Sequence, residues 1–296
     1  MNKTKRKWHW NSTLTGFLFV LPQLLFFAVF TVYPIFEGFR ISLYKTNAVE
    51  NTFVGLQNYI TLFQDSVFIK SICNTLFLVA VITVGMLLLG LIISLAIFDK
   101  SNGYVTFIRS SIYLPVIVST VVMSMVWKFL LNPANGLINY YLGKMGSKNT
   151  NLLGNPDTAI WVIAFVTIIA SVGTAVIMYV ASMNGVSSEM LEAAKVDGAS
   201  KLQISIKIII PLVKATTLYL SVTTIISILK LFVVIQLLTD GGPNNATMTM
   251  MYYLYKNAFA YDKKNIAAAV GVLMFIMAVI IAIPQFSSMT EKEGRR

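Results

Sequence analysis

The sequence contains little charge, a single cysteine and a single histidine. Only 12% of its 296 residues are Asp, Glu, Lys or Arg, whereas a soluble domain carries about 25%. Cys73 has no second thiol with which to form an internal disulfide, and His9 lies alone in the N-terminal tail. The composition therefore excludes a soluble globule and a disulfide scaffold, and it predicts neither a metal site nor Cys/His catalysis.

Motifs of nucleotide binding and proton transfer are also missing. The phosphate-binding pattern G-x-x-x-x-G-K-[ST] does not occur, because Gly143-Lys144 lacks both the upstream glycine and the following Ser or Thr. Glu37, Asp99 and Asp240 fall near the ends of apolar runs, so no pair of carboxylates lies inside one. We therefore expect no enzymatic activity, no cofactor and no metal ion in this chain.

Hydrophobic residues make up 56% of the chain, and its mean hydropathy is +0.74. A membrane-spanning helix needs roughly 20 predominantly apolar residues. The sequence predicts an all-α membrane protein with one transmembrane domain, residues 16–286, between the tails 1–15 and 287–296. Its six predicted spans cover residues 16–36, 72–98, 108–131, 159–182, 208–236 and 266–286.

Membrane topology explains the net charge of +11. Basic residues concentrate on the cytoplasmic side of membrane proteins. With both tails in the cytoplasm, twelve Lys and Arg residues fall inside and eight fall in the outside loops, although the inside segments are shorter. The first apolar run is too long for the core of a cleaved signal peptide. We therefore predict a multi-pass protein of the cell membrane, with both termini cytoplasmic and no nucleic-acid partner.

The inside loop 183–207 carries the pattern of a short surface helix. A serine before the acidic first turn, in the pair Ser187-Ser188, is a helix N-cap signal, the Glu, Met, Leu and Ala residues that follow favour helix, and Gly198 provides a stop. A second helical run, 201–210, leads into the fifth span. The loop is therefore predicted to contain a helix, a glycine turn and a second helix continuous with the membrane.

The residues of the first loop helix allow two interpretations. Ala193 and Ala194 are small enough for a partner surface to approach closely, and Glu192 and Asp197 could orient that partner. The alternative is a solvated helical linker, which the same residue types also favour.

Glu192-Ala193-Ala194, followed by Gly198, Ile208 and Pro211-Leu212, resembles the EAA loop of bacterial ABC importer permeases. In that family the loop forms a coupling helix that docks in a groove of the cytoplasmic ATPase. The resemblance implies a type I ABC importer permease fold with a cytoplasmic EAA coupling helix. It also implies an ATPase-coupling role for five residues: Glu192, Ala193, Ala194, Asp197 and Gly198.

Further stretches narrow the resemblance to carbohydrate importers. Residues 238–243, with Ala246-Thr247 and residues 255–259, look like the TGGGP…AT…Y…AF signature of those permeases. Residues 53–59 and Asn74-Thr75-Leu76 are also typical. The whole predicted domain thus resembles the short, six-span sugar permeases of the maltose and glycerol-phosphate kind. The resemblance assigns the extracellular turn that receives or gates substrate to Gly241, Gly242 and Pro243.

The resemblance also implies an assembly around this chain. A second, similar permease would complete a heterodimer, two cytoplasmic ABC ATPases would bind ATP and Mg²⁺, and an extracytoplasmic protein would bind the sugar. Transport of a mono- or oligosaccharide across the lipid bilayer would then proceed by alternating access.

Polar side chains inside the spans are candidates for the substrate pathway. Neutral hydroxyls and amides suit a sugar, although Ser and Thr in membranes also bond to their own helix or to neighbouring helices. Lys128 and Lys214 are close enough to span ends to extend to the membrane surface, whereas Lys230 lies deeper in the fifth span. The pathway candidates are Ser124, Ser171, Thr224, Ser227, Lys230 and Gln236.

Two other functions remain open at this stage. A secondary carrier or channel driven by an ion gradient would need no ATPase, but intramembrane carboxylates would favour it and they are missing. A permease-like structural or regulatory subunit would have no pathway of its own. The sequence also leaves open whether the sugar is neutral, phosphorylated or otherwise anionic.

Overall fold

The computed structural model describes residues 12–46, 51–98, 100–146 and 151–293. Most of the predicted N-terminal tail and the last three residues of the predicted C-terminal tail lie outside the described residues. The described part of the chain is almost entirely helical, as predicted, and its two strands are three residues long each.

Fifteen α-helices, three π-helical segments and two strands make up the described residues. The helices are α1 (Ser12–Phe27), α2 (Tyr33–Ser42), α3 (Gln57–Gln64), α4 (Ser66–Ile97), α5 (Asn102–Ile117), α6 (Thr120–Leu130), α7 (Leu137–Lys144), α8 (Pro156–Met183), α9 (Ser188–Val196), α10 (Lys201–Ile204), α11 (Ile210–Leu212), α12 (Lys214–Leu229), α13 (Val233–Leu238), α14 (Met250–Tyr255) and α15 (Lys264–Glu293). The remaining elements are the π-helical segments Ala28–Val32, Ser205–Ile209 and Lys256–Ala260, and the strands β1 (Tyr44–Thr46) and β2 (Asn51–Phe53).

A helix or helix pair long and apolar enough to cross a membrane lies at each of the six predicted spans. Four of them are single helical stretches: Thr15–Ser42, Ser66–Ile97, Pro156–Met183 and Lys264–Ile283. The other two are bent pairs: Gly103–Ile117 with Thr120–Leu130, and Lys201–Leu212 with Lys214–Leu229. The described residues therefore supply up to six spans if each bent pair counts as one.

The third predicted span is not one helix. Between α5 and α6 the backbone of Val118 and Ser119 is extended, and the two helices meet at 95°. The Ser119 hydroxyl accepts a hydrogen bond from Val121 N at 3.3 Å and caps α6. This cap satisfies one of the amide groups that a helix break exposes, which an apolar environment requires.

The fifth predicted span is interrupted twice. A bend of 61° at Val213 separates the segment Lys201–Leu212 from α12, which ends before Lys230. The chain then resumes as α13. The second loop helix is therefore not continuous with the membrane helix, and Lys230 lies at a helix end rather than inside a helix.

Helices α4 and α8 form the centre of the bundle. Helix α5 packs on α8. Helices α12 and α14 each pack on both α4 and α15. The Ser94 hydroxyl of α4 donates to Val176 O of α8 at 3.2 Å, and Ile82 and Ile163 are fully buried in the shared core. In a bilayer these contacts stabilise the bundle by van der Waals packing, because lipid tails are as apolar as the side chains themselves.

The first span stands apart from this core. Helix α2 packs on α15, where Phe39 and Phe275 meet edge to face with ring centroids 6.0 Å apart. The most apolar window of Thr15–Ser42 has no buried residue, and Phe19 is 82% exposed. The apolar surface of α1 is therefore open to lipid or to another membrane chain.

A short hairpin and α3 follow the first span. Strands β1 and β2 pair antiparallel, with Tyr44 opposite Phe53. The buried Asn58 amide donates to Ser42 O at 2.7 Å and to Tyr44 O at 3.0 Å. Its side-chain oxygen accepts a hydrogen bond from Asn265 at 2.8 Å. One buried amide thus ties this loop to both the first and the sixth span.

Candidate functional site

The first candidate site is helix α9, within the predicted coupling loop 183–207. The Ser187 hydroxyl accepts a hydrogen bond from Met190 N at 3.4 Å and caps the start of the helix. Leu191 and Ala194 pack against a buried cluster of the bundle. One face of α9 therefore contacts the membrane helices through these two side chains.

The opposite face of α9 is open. Four of the five predicted coupling residues are exposed: Glu192, Ala193, Asp197 and Gly198. The fifth, Ala194, is half-buried, and the neighbouring Val196 side chain is 87% exposed. The face thus combines a carboxylate with an unburied apolar side chain, a combination suited to docking on another protein.

Gly198 forms the turn after α9. Its φ of +77° lies in the left-handed region, which glycine adopts without steric cost. Ala199 N donates to Ala194 O at 2.9 Å and closes the turn, and α10 then begins with a capping box between Ser200 and Gln203. The helix, the glycine turn and the second helix follow one another in the predicted order.

The second candidate site is the turn at Gly241-Gly242-Pro243, termed the Gly-Gly-Pro turn below. Gly241 has a φ of +81°, and a Cβ atom added there would lie 2.8 Å from Met248 Cε. The backbone conformation therefore favours glycine, and a Cβ atom here would require the flexible end of the Met248 side chain to move. The Thr247 hydroxyl donates to Gly242 O at 2.8 Å and holds the turn closed.

This turn is fixed to the start of α4, far away in the sequence. The Asn74 amide donates to Asn245 O at 3.1 Å and to Met248 O at 2.9 Å. The Thr75 hydroxyl accepts a hydrogen bond from Met250 N at 2.9 Å. The Asn-Thr stretch and the Gly-Gly-Pro stretch, which are separate in the sequence, are thus two parts of one structure.

A charged cluster lies beside the turn, outside the spanning helices. The Asp240 carboxylate accepts a hydrogen bond from the Tyr252 hydroxyl and lies 3.3 Å from Lys256 Nζ. The hydrogen bond from Tyr252 is the main cause that lowers the pKa of Asp240, and Lys256 lowers it further. Burial and the nearby carboxylate raise the pKa of Tyr252. At neutral pH the carboxylate is therefore charged and matched by Lys256.

The third candidate site is a cavity of about 350 Å³ between α4, α8 and α12, termed the membrane cavity below. Three of the predicted pathway residues line it, Ser171 on α8 and both Thr224 and Ser227 on α12. Further hydroxyl groups come from Thr167, Thr174, Tyr219 and Thr223. The lining contains no carboxylate, lysine or arginine among the described residues.

Serine hydroxyls of the membrane cavity already donate to their own helices. Ser171 Oγ donates to Thr167 O at 2.6 Å, and Ser227 Oγ donates to Thr223 O at 2.8 Å. A hydroxyl oxygen that donates one hydrogen bond keeps lone pairs that can accept others. These groups therefore act mainly as acceptors, which suits a ligand rich in hydroxyl donors.

The other three predicted pathway residues lie elsewhere. Ser124 is fully buried and donates to Thr120 O at 2.7 Å on its own helix. Lys230 is exposed at the end of α12 and lines neither this cavity nor the next. Gln236 lines a second cavity of about 400 Å³ at the Gly-Gly-Pro turn, termed the outer cavity. The structure thus brings three of the six together.

Several lining residues are not among the six pathway candidates, and Tyr219 and Lys128 are two of them. Tyr219, 51% exposed, lines the membrane cavity. Tyr219 lies four residues before Thr223 and eight before Ser227, so the three polar side chains share one face of the helix. This helical periodicity is the sequence signal that indicates Tyr219 as a lining residue. Lys128, interpreted above as a lysine that extends to the membrane surface, lines the outer cavity. Nothing in its local sequence indicates this position.

An apolar helical bundle with a hydroxyl-lined cavity and a short helix exposed at one end is suited to a transport subunit of a membrane complex. The fold is similar to that of a bacterial ABC transporter involved in the import of the acidic polysaccharide alginate. The TM-score is 0.83 at 24% identity, over 94% of this chain and 96% of that one. A bacterial alginate transporter in complex with an alginate pentasaccharide-bound periplasmic protein gives a TM-score of 0.81 over 92% of each chain. The predicted all-α fold of an ABC importer permease is confirmed.

The chain belongs to the family of binding-protein-dependent transport system inner membrane components, which matches residues 100–287. One relative, named "Probable ABC transporter permease protein YurN", comes from Bacillus subtilis and is 32% identical over 91% of this chain and 94% of its own. The sn-glycerol-3-phosphate transport system permease protein UgpA of Shigella flexneri is 30% identical over 93% of this chain and 94% of its own. These relatives confirm the prediction of a membrane permease subunit rather than an enzyme.

Proposed function

We propose that this chain is the transmembrane subunit of an ATP-driven importer, and that a carbohydrate passes through the membrane cavity by alternating access. In this arrangement loop 183–207 and both termini face the cytoplasm, and loop 237–265 faces the outside. The relatives support a polyhydroxylated substrate, because UgpA is named as a glycerol-phosphate permease and the alginate transporter imports a polysaccharide.

The membrane cavity is the observation that carries this proposal. Ser171 on one helix and Thr224 and Ser227 on another bring neutral hydroxyl groups to one space. Its volume of about 350 Å³ lies within the range of small-molecule sites, roughly 300–1,000 Å³. An ion-driven carrier would be favoured by a carboxylate in such a cavity, and the described lining holds none.

Helix α9 supplies the mechanical connection to the ATPase. Its inner face, Leu191 and Ala194, is packed on the bundle, so a force on the outer face at Glu192 moves the membrane helices rather than the loop alone. From Gly198 the chain runs through α10 and α11 into α12, the helix that carries Ser227. ATP and Mg²⁺ are bound by the partner ATPase subunits, and none of the motor chemistry belongs to this chain.

A second permease completes the pathway. Thr174, Tyr219 and Ser227 line the membrane cavity and are exposed, so this chain leaves one side of the cavity open. A similar permease that faces this side would close it. Two ATPase subunits on the cytoplasmic face and a sugar-binding protein outside would then form the complete importer.

Filling the membrane cavity tests the proposal. Ser227→Leu adds an apolar side chain to the lining, and Ser111→Leu is its matched control. Ser111 is also an exposed serine that donates to a carbonyl of its own helix, Phe107 O at 2.9 Å, but it does not line the cavity. In proteoliposomes that contain the complete importer, we expect Ser227→Leu to reduce ATP-dependent sugar uptake about ten-fold or more. Ser111→Leu should leave uptake unchanged.

The same measurement separates the competing functions. Equal uptake by the two variants would contradict a substrate path through the membrane cavity. Uptake that continues without ATP and follows an imposed ion gradient would favour a secondary carrier. An importer complex that hydrolyses ATP but takes up no sugar with the unmodified chain would favour a structural or regulatory subunit.

A further inference from the structure

The outer cavity contains two polar side chains without partners among the described residues. The cavity has a volume of about 400 Å³ and lies where α6 packs against α13, beside the Gly-Gly-Pro turn. Lys128, in the last turn of α6, is exposed and forms neither a hydrogen bond nor an ion pair with its side chain within the described part of the chain. The half-buried Gln236 amide of α13 forms no side-chain hydrogen bond there either. Both groups are therefore available to a ligand.

The ionised side chains around the outer cavity leave one positive charge uncompensated. Asp240 also lines the cavity, but its carboxylate is matched by Lys256 at 3.3 Å and accepts a hydrogen bond from Tyr252. Lys128 acts on the same carboxylate through space and helps to lower its pKa without forming an ion pair. A ligand with one negative charge would therefore neutralise the cavity. Hydrogen bonds between an ammonium group and an anionic oxygen are roughly twice as strong as neutral ones.

The outer cavity and the membrane cavity are lined by helices that follow one another in the chain. Helix α13, which carries Gln236, follows α12, which carries Ser227, and only residues 230–232 separate the two helices. Gln236 and Ser227, which line different cavities, are therefore carried by consecutive helices.

We infer that the outer cavity is a substrate-binding site for a carbohydrate that carries an anionic group, either a carboxylate or a phosphate. Lys128 binds the anionic oxygens, and the Gln236 amide exchanges hydrogen bonds with neighbouring hydroxyls of the sugar. This inference rests on the proposed function, since it names the substrate class of the same pathway.

Two probes that differ only at carbon 6, a carboxylate in one and a neutral hydroxymethyl group in the other, test the inference. Galacturonate and galactose are titrated into the purified importer complex in phosphatidylcholine nanodiscs, and binding is measured by calorimetry. We expect galacturonate to bind about ten-fold more tightly than galactose at low ionic strength, with a smaller preference at high salt. Lys128→Gln should remove the preference, because galacturonate binding weakens by about ten-fold. Lys128→Arg should keep the preference, because it keeps the charge.

Controls separate this site from other causes. Lys144→Gln removes an exposed lysine that lies over the Tyr140 ring and away from the cavity, so it should leave the preference intact. An unchanged preference in Lys128→Gln would overturn the inference, as would equal binding of the two probes to the unmodified complex. A preference that vanishes when phosphatidylglycerol replaces phosphatidylcholine would assign Lys128 to a lipid headgroup and also overturn it. Failure of both probes to bind, together with normal uptake by Ser227→Leu, would instead contradict the proposed function itself.

Discussion

Gly241→Ala is the substitution whose effect can be worked out most fully from the structure. Gly241 has a φ of +81°, a conformation that costs a residue with a Cβ atom about 1–2 kcal/mol. The new Cβ would also lie 2.8 Å from Met248 Cε and 3.3 Å from Tyr252 Cδ1, both on buried side chains. Met248 Cε is the end of a flexible side chain that can move, so the packing cost lies near the lower end of the range for overpacking, about 1 kcal/mol. The variant should therefore lower the free energy of unfolding by about 2–3 kcal/mol.

Two other glycines separate these contributions. Gly55 has a φ of +57° but no heavy atom within 4 Å of a built Cβ, so Gly55→Ala should show the backbone cost alone. Gly143 lies in α7 with an ordinary backbone and the same open space, so Gly143→Ala should be neutral or stabilising by up to about 1 kcal/mol.

The assay is equilibrium unfolding of the three variants and the unmodified protein in the same detergent. We expect Gly143→Ala to be the most stable of the three variants, Gly55→Ala to be less stable, and Gly241→Ala to be the least stable. If Gly241→Ala were no less stable than Gly55→Ala, the close packing of the Gly-Gly-Pro turn on Met248 would be refuted. If neither differed from Gly143→Ala, the backbone argument would also fail.

Three further results are expected. Asn74→Ala should lower the free energy of unfolding by about 1–3 kcal/mol, because two carbonyls of loop 237–265 lose their donor. A loss below about 0.5 kcal/mol would show that other contacts hold the loop. Asp240→Asn should lower the melting temperature at about pH 7, and this difference from the unmodified protein should shrink as the pH falls towards about 3 and below. The lowered pKa of Asp240 stabilises the fold above the ordinary carboxyl value, and this contribution is lost as the pH falls through the folded-state value. If the difference in melting temperature between the two proteins stayed constant over this pH range, the ionised Asp240 carboxylate would not be its cause. Glu192→Ala combined with Gly198→Ala should abolish sugar uptake while the complex still hydrolyses ATP, and normal uptake would refute the coupling role of α9.

The sequence predicts the membrane helices well but not their bends. Apolar runs identify where the chain can cross a bilayer, since each span needs a fixed length of apolar residues. The break at Val118 and Ser119 leaves apolar residues on both sides, so the hydrophobic pattern does not show it. The available signal was Ser119 itself, which caps α6, but serines in apolar runs are also expected to bond within helices. The interruption at Lys230 has no comparable signal.

The position of helix α9 could be predicted from the sequence because its determinants are local. Ser187 caps its start and Gly198 forms its end, and both residues lie within a few positions of the helix. The contacts of Asn74 with loop 237–265 depend instead on residues more than 170 positions apart, which local patterns do not connect. For the same reason the sequence offered Ser124 and Ser171 as equal pathway candidates. Only the 95° turn between α5 and α6 and the packing of α8 on α12 distinguish them.

Protection of a single thiol in the membrane cavity tests the central claim most directly. Cys73 is the only cysteine, so Cys73→Ser combined with Ser227→Cys places one thiol on the cavity lining, and Cys73→Ser with Ser111→Cys provides the control. The rate of modification by a water-soluble maleimide is measured in the complete importer, with and without the sugar that the same vesicles take up. We predict that the sugar slows modification at position 227 and leaves position 111 unaffected. Equal rates at position 227 with and without sugar, in vesicles that still transport it, would contradict passage through this cavity.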